Sequence, residues 1–132
     1  MTVLVAYIHT PEGDAALSAA VNEARSRAAN AVVVNVTRPA AEVDSPMSAE
    51  QGLDAVAAVF DEAGIGVEIR QLPASSDRAG DILAVVAEIQ PELVVIGMRK
   101  RHPVGELVIG STSQRIMRGA ECPVLVVKAP TS

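Results

Sequence analysis

The chain has 132 residues, 49% of them hydrophobic, and a formal net charge of −5; that is enough apolar material for one core, so a single domain over residues 1–132 is expected. The acidic balance excludes a broad phosphate-backbone surface, and Tyr7 and Phe60 are too few aromatics to stack successive bases, so nucleic acid is not an expected partner. The single cysteine, Cys122, excludes an internal disulfide, and with no Cys/His framework, no leader pattern and no unbroken apolar run of ~18 residues, the expectation is a cytoplasmic chain without membrane or metal.

The first predicted strand is Thr2–Ile8, apolar nearly throughout. Thr10-Pro11-Glu12 then signs a helix start, with Thr10 as cap, Pro11 at the first helical position and Glu12 at the positive end of the dipole. This helix is expected to run to about Asn30 and to bury the stripe Ala16, Leu17, Ala20, Val21 and Ala24. A second strand, Ala31–Thr37, is followed by Arg38–Pro46, which is polar, carries two prolines and reads as a mobile surface loop. Ser48-Ala49-Glu50-Gln51 has the form of a capping box, opening a helix that buries Leu53, Val56, Ala57 and Phe60 and stops at Gly64.

Strand Val67–Leu72 leads to a third helix, from about Asp77 to Gln90, burying Ile82, Leu83, Val86 and Ile89. Leu93–Ile96 is the fourth strand. After a basic loop, Ser111-Thr112-Ser113-Gln114 opens a fourth helix that ends near Gly119, and Val124–Lys128 is the last strand. Strands that are apolar on both faces and alternate with helices dictate an α/β fold: a doubly wound, mostly parallel five-stranded sheet with helices on both faces.

In such a sheet a ligand sits outside the carboxyl ends of the strands, where strand order reverses. If the first and fourth strands are neighbours, the crevice is walled by Ile8-His9-Thr10 and Gly97-Met98-Arg99-Lys100. Gly110-Ser111-Thr112 opens a helix beside three cations, Arg99, Lys100 and Arg101. Free N–H groups at that helix start favour an anion, and Gly110 permits close approach. The plainer alternative is that Ser111 is only a cap and the cations are solvated. Neither GxGxxG nor GxxxxGK[ST] occurs, His9 and His102 lack partners for a metal site, and no Ser-His-Asp or Cys-His spacing can be assigned. Cys122 before Pro123 reads as a small hydrophobe.

Val3-Leu4-Val5-Ala6, Thr10 to Leu17, Leu93 to Met98, Gly110 to Ile116 and Cys122 to Val127 together resemble a universal stress protein over essentially the whole chain. The resemblance implies strand order 3-2-1-4-5, a homodimer formed through the last strand (Val124, Leu125, Val126, Val127), and either an ATP-binding or a non-binding type. The binding type is marked by G-x2-G-x9-G-[S/T], which is met here by Gly97, Gly110 and Ser111, whereas Lys100 stands at the second glycine. An aspartate that holds the nucleoside in the family aligns with Ile8, and Val36 and Met98 stand where apolar walls would flank adenine. Lys100 either blocks the loop or, with Arg99 and Arg101, contributes charge-assisted phosphate contacts.

The expected function is thus a small stress-response regulatory protein, not an enzyme, with an ATP or AMP site, or some other anion site, formed by Val36, Gly97, Met98, Arg99, Lys100, Gly110, Ser111 and Thr112. The alternative is a dimeric interaction module of the same fold that binds no nucleotide. Its physical support is the apolar edge Val124–Val127, which must be covered or paired.

Overall fold

A computed structural model describes residues 1–8, 10–36, 49–73, 77–100, 107–108 and 111–128. Their elements in chain order are β1 (Thr2–Tyr7), α1 (Pro11–Arg27), β2 (Asn30–Val36), α2 (Ala49–Glu62), β3 (Val67–Leu72), α3 (Arg78–Ile89), β4 (Leu93–Lys100), β5 (Leu107–Val108), α4 (Ser111–Gly119) and β6 (Val124–Lys128). Five strands are parallel in the order β3-β2-β1-β4-β6, the expected sheet, and the two-residue β5 pairs antiparallel to the end of β4.

Alternation along the strands divides the core. Val3, Val5 and Tyr7 of β1 face α1 and α2, where they pack with Ala16, Leu17, Ala20, Val21, Ala24, Val56 and Phe60. Leu4 of β1, with Val32, Val34, Val94 and Ile96, faces the other way onto Ala79, Ile82, Val85 and Val86 of α3 and Ile116 of α4. Period-two side-chain alternation in a strand covered on both faces produces these two apolar layers, and it is why the strands read as unbroken hydrophobic runs.

The helix ends follow the cap chemistry. Thr10, in extended conformation, accepts the Gly13 N–H at 3.0 Å through Oγ1, and Asp77 accepts the Gly80 N–H at 3.1 Å. The far ends are closed by Ala28 and Gln90 in the left-handed region, with φ of 53° and 52°. α1 therefore stops at Arg27, three residues short of the expected Asn30, because Ala28 turns the chain and Asn30 already belongs to β2, paired with Thr2. α2 gives way at Gly64 (φ 75°), as expected. Ser48, Thr37 and the segment Arg38–Pro46 lie outside the described residues.

Tyr7 is the one polar-tipped side chain in the α1 layer. Its ring is buried, and its hydroxyl donates to Asp14 Oδ1 at 3.1 Å across the start of α1. Burial first, and then the neighbouring Asp14 carboxylate, push the phenol up to about 12. The protonated form is therefore the one the fold holds.

Two outcomes follow. Phe60, fully buried between α2 and the sheet, loses ~3–5 kcal/mol of stability on substitution by Ala, to be read from urea unfolding. The only tyrosine of a chain without tryptophan titrates near 12 in the native protein and near 10 in denaturant, by absorbance at alkaline pH. Because the folded value is the higher one, the linked stability is complete below about pH 10. It is lost as pH rises from about 10 to about 12, on the order of 2–3 kcal/mol.

Candidate functional site

The order reversal falls between β1 and β4, and the ladder between them is short. It pairs Val3 with Leu93, Leu4 with Val94 and Val5 with Val95, and goes no further, although β1 runs on to Tyr7 and β4 to Lys100. Each strand keeps its outer partner: Tyr7 still pairs with Asn35 of β2, and Gly97 and Met98 with Val127 and Lys128 of β6. The sheet is split at its carboxyl edge, in the position where open α/β sheets take ligands.

The first turn of α1 lies at that split. Thr10 Oγ1 donates to the Ile8 carbonyl at 3.3 Å while accepting from Gly13 N, and Asp14 N donates to Thr10 O at 2.9 Å. A Cβ on Gly13 would sit 1.8 Å from Ile8 O, and a Cβ on Gly97 would sit 2.2 Å from Glu12 O. Both neighbours are backbone atoms, which cannot swing aside as the tip of a side chain can, so both positions require glycine.

On the β4 side the structure corrects the sequence reading. Arg99 and Lys100 are not part of a loop; they extend β4 and pair with Val108 and Leu107 of β5. Backbone pairing is indifferent to side-chain charge at a sheet end, and so a basic pair ends the strand rather than opening the loop. α4 then begins at Ser111, three residues beyond Val108 and within about 10 Å of it by chain length. Ser111 is the first helical residue, not the cap itself, and Thr112, partly buried, is the second.

α4 is docked on α3. Ile116 is buried in the α3 layer, and a Cβ on Gly119 would come 2.7 Å from Leu83 Cδ1. Arg115 pairs with Asp77, the N-cap of α3. That guanidinium, and then the Gly80 N–H, hold the Asp77 carboxyl below the usual carboxylate range. One carboxylate thus caps α3 and ties down the first turns of α4, a link invisible in a sequence where the partners stand 38 residues apart.

Of the residues singled out by sequence, Val36 ends β2 at the same carboxyl edge, paired with Leu72. Gly97, half-buried Met98, Arg99 and Lys100 form the last half of β4, and Ser111 and Thr112 open α4. Gly110, His9, Arg101 and His102 lie outside the described residues. Cys122 is half-buried beside the α3 layer, and burial pushes its thiol up, as suits a packing residue. Among the described residues no group of three or more His, Cys, Asp or Glu is placed to hold a metal ion, and no helix is long and apolar enough to cross a membrane. Sequence reasoning placed Asp77 at a helix start but missed its link to Arg115, and it missed the role of Asp14. An acidic residue in the first turn of α1 beside the lone tyrosine of β1 was the available signal for the role of Asp14.

Comparison with known proteins places this geometry in context. The sequence profile of the universal stress protein family matches residues 1–128. A universal stress protein of Mycolicibacterium smegmatis is 36% identical over 126 residues, covering 96% of each chain. Among solved structures, a universal stress protein from Archaeoglobus fulgidus superposes with a TM-score of 0.78 at 27% identity, over 97% of this chain and 98% of that one. A second structure from the same organism, at 21% identity, TM-score 0.72 and coverage of 97% and 98%, is a complex with dAMP. Two others of this fold, each 19% identical, are complexes with cAMP (TM-score 0.73, coverage 98% of each chain) and, from Arabidopsis thaliana, with AMP (TM-score 0.68, coverage 99% and 93%). With the family profile matched over residues 1–128 and a relative this similar along 96% of its length, the chain belongs to the universal stress protein family.

Proposed function

We propose that the split between β1 and β4 binds an adenine nucleotide, ATP or AMP, and that the protein is a nucleotide-responsive regulator rather than an enzyme. The observation that carries this reading is the ladder that stops at Val5 and Val95 while both strands continue. It leaves an opening at the carboxyl edge that Val36, Gly97, Met98, Arg99, Lys100, Gly110, Ser111 and Thr112 are assigned to line. Solved proteins of the same fold in complex with dAMP, cAMP and AMP support the ligand class. The assigned residues are aliphatics, glycines, cations and hydroxyls. Such groups hold a base and a phosphate but supply no side chain that titrates near neutrality for proton transfer.

Lys100 replaces the glycine of the resembled motif. In the reading preferred here it adds charge to the phosphate contacts beside Arg99, since a hydrogen bond to a charged partner is worth ~1.5–3 kcal/mol, or one to two decades of affinity. Calorimetric titration of nucleotide-stripped protein with ATP and AMP is expected to give micromolar binding that weakens with salt and falls about tenfold or more in Lys100→Gly. Binding seen only in Lys100→Gly would make Lys100 a block, and silence from both chains would contradict nucleotide binding.

A second reading, compatible with the first, concerns assembly. The sheet has two long edges of opposite character. β3 carries exposed Glu68 and Gln71, and Arg70 paired with Glu68 and Glu88, whereas β6 presents Val124, Leu125, Val126 and Val127, all half-buried. Charged edges resist pairing and apolar ones invite it. We infer that β6 pairs with its copy in a homodimer about a two-fold axis. Val126→Lys is expected to yield monomer or insoluble protein, read by sedimentation; an unchanged dimer would rule this interface out.

A further inference from the structure

Gly97, a motif glycine assigned above to line the site, also lies against the first turn of α1. The position a Cβ would occupy there lies 2.2 Å from Glu12 O, 2.7 Å from Glu12 C and 3.1 Å from Glu12 Cβ. All three atoms belong to the first turn of α1. The same turn is pressed against the end of β1 by Gly13, whose Cβ would lie 1.8 Å from Ile8 O. Two glycines on different elements thus let one helical turn sit against both strand ends where the β1–β4 ladder stops at Val5 and Val95. Neither contact is relieved by a rotamer change, because the atoms met first are backbone.

We propose that Gly97 is a positioning residue that seats the first turn of α1 between the carboxyl ends of β1 and β4, so that any side chain at 97 displaces that turn from the candidate site. The inference does not depend on nucleotide binding, since it concerns the empty protein. It also explains why the turn and the sheet are in register on the α1 face. Asp14, one residue beyond Gly13, reaches the Tyr7 hydroxyl at 3.1 Å, and that bond exists only while the turn is seated. Displacement of the turn therefore has a local signature distinct from general loss of stability.

The test is the alkaline absorbance titration of Tyr7, the chain's only tyrosine, in nucleotide-free Gly97→Ala protein kept folded as judged by circular dichroism. The expected result is a phenol midpoint that falls below the native value of about 12 by the share Asp14 contributes, with the larger share due to burial retained. Val94→Ala, a buried substitution on the same strand whose side chain packs in the opposite layer from Tyr7, serves as the control and is expected to lose stability while leaving the midpoint in place. A folded Gly97→Ala protein with an unchanged midpoint overturns the proposal. So does a shift of equal size in Val94→Ala. If Gly97→Ala does not accumulate as folded protein, the unsubstituted protein decides: a nuclear Overhauser contact between the Gly97 α-protons and Glu12 is expected, and its absence overturns the proposal.

Discussion

The site depends on how closely a helix can approach the ends of two strands. In a doubly wound sheet the first helix must cross from the end of β1 back over the sheet, and its opening turn lies where the strand order reverses. Here that turn is in backbone contact with β1 through Gly13 and with β4 through Gly97, at distances no side chain would tolerate. Thr10 completes the arrangement by capping α1 and bonding back to Ile8. With the turn in this position the β1–β4 ladder ends at Val5 and Val95, and the carboxyl edge divides.

The remainder of the molecule keeps that edge in place. The layer beneath α1 and α2 is entirely aliphatic apart from Tyr7 and Phe60, and the opposite layer holds α3 and α4 against Leu4, Val32, Val94 and Ile96. Apolar burial supplies the driving force without directing any one group; direction comes from a few polar contacts. Tyr7 to Asp14 ties sheet to helix start, and Asp77 to Arg115 ties the start of α3 to α4, whose own first residues are assigned to the phosphate end of the site. The first joins the carboxyl end of β1 to the first turn of α1, and the second joins the N-cap of α3 to α4.

Much of this was legible in the sequence. β3 and β6 begin and end where expected, and α3 is flanked by the Asp77 and Gln90 expected at its limits. The central strands β1, β2 and β4 read as apolar runs because burial on both faces leaves a local signature. The end of β4 was misread because Arg99 and Lys100 carry loop-like side chains on strand backbone, and β5, at two residues, is below what periodicity can detect. The family motif located the carboxyl end of β4 and the start of α4, yet it gave no reason for Gly97. That reason lies in Glu12, 85 positions earlier in the chain, and only the folded arrangement brings the two together.

The central claim is that the first turn of α1 sits in backbone contact with Gly97 at the divided edge of the sheet. Nuclear Overhauser spectroscopy of isotope-labelled, nucleotide-free protein tests it most directly. The account predicts strong cross-peaks between the Gly97 α-protons and the Glu12 β-protons, whose carbon lies 3.1 Å from the Cβ position of residue 97. Absence of those cross-peaks in a spectrum that shows the Val5–Val95 strand contacts would place the turn elsewhere and contradict it.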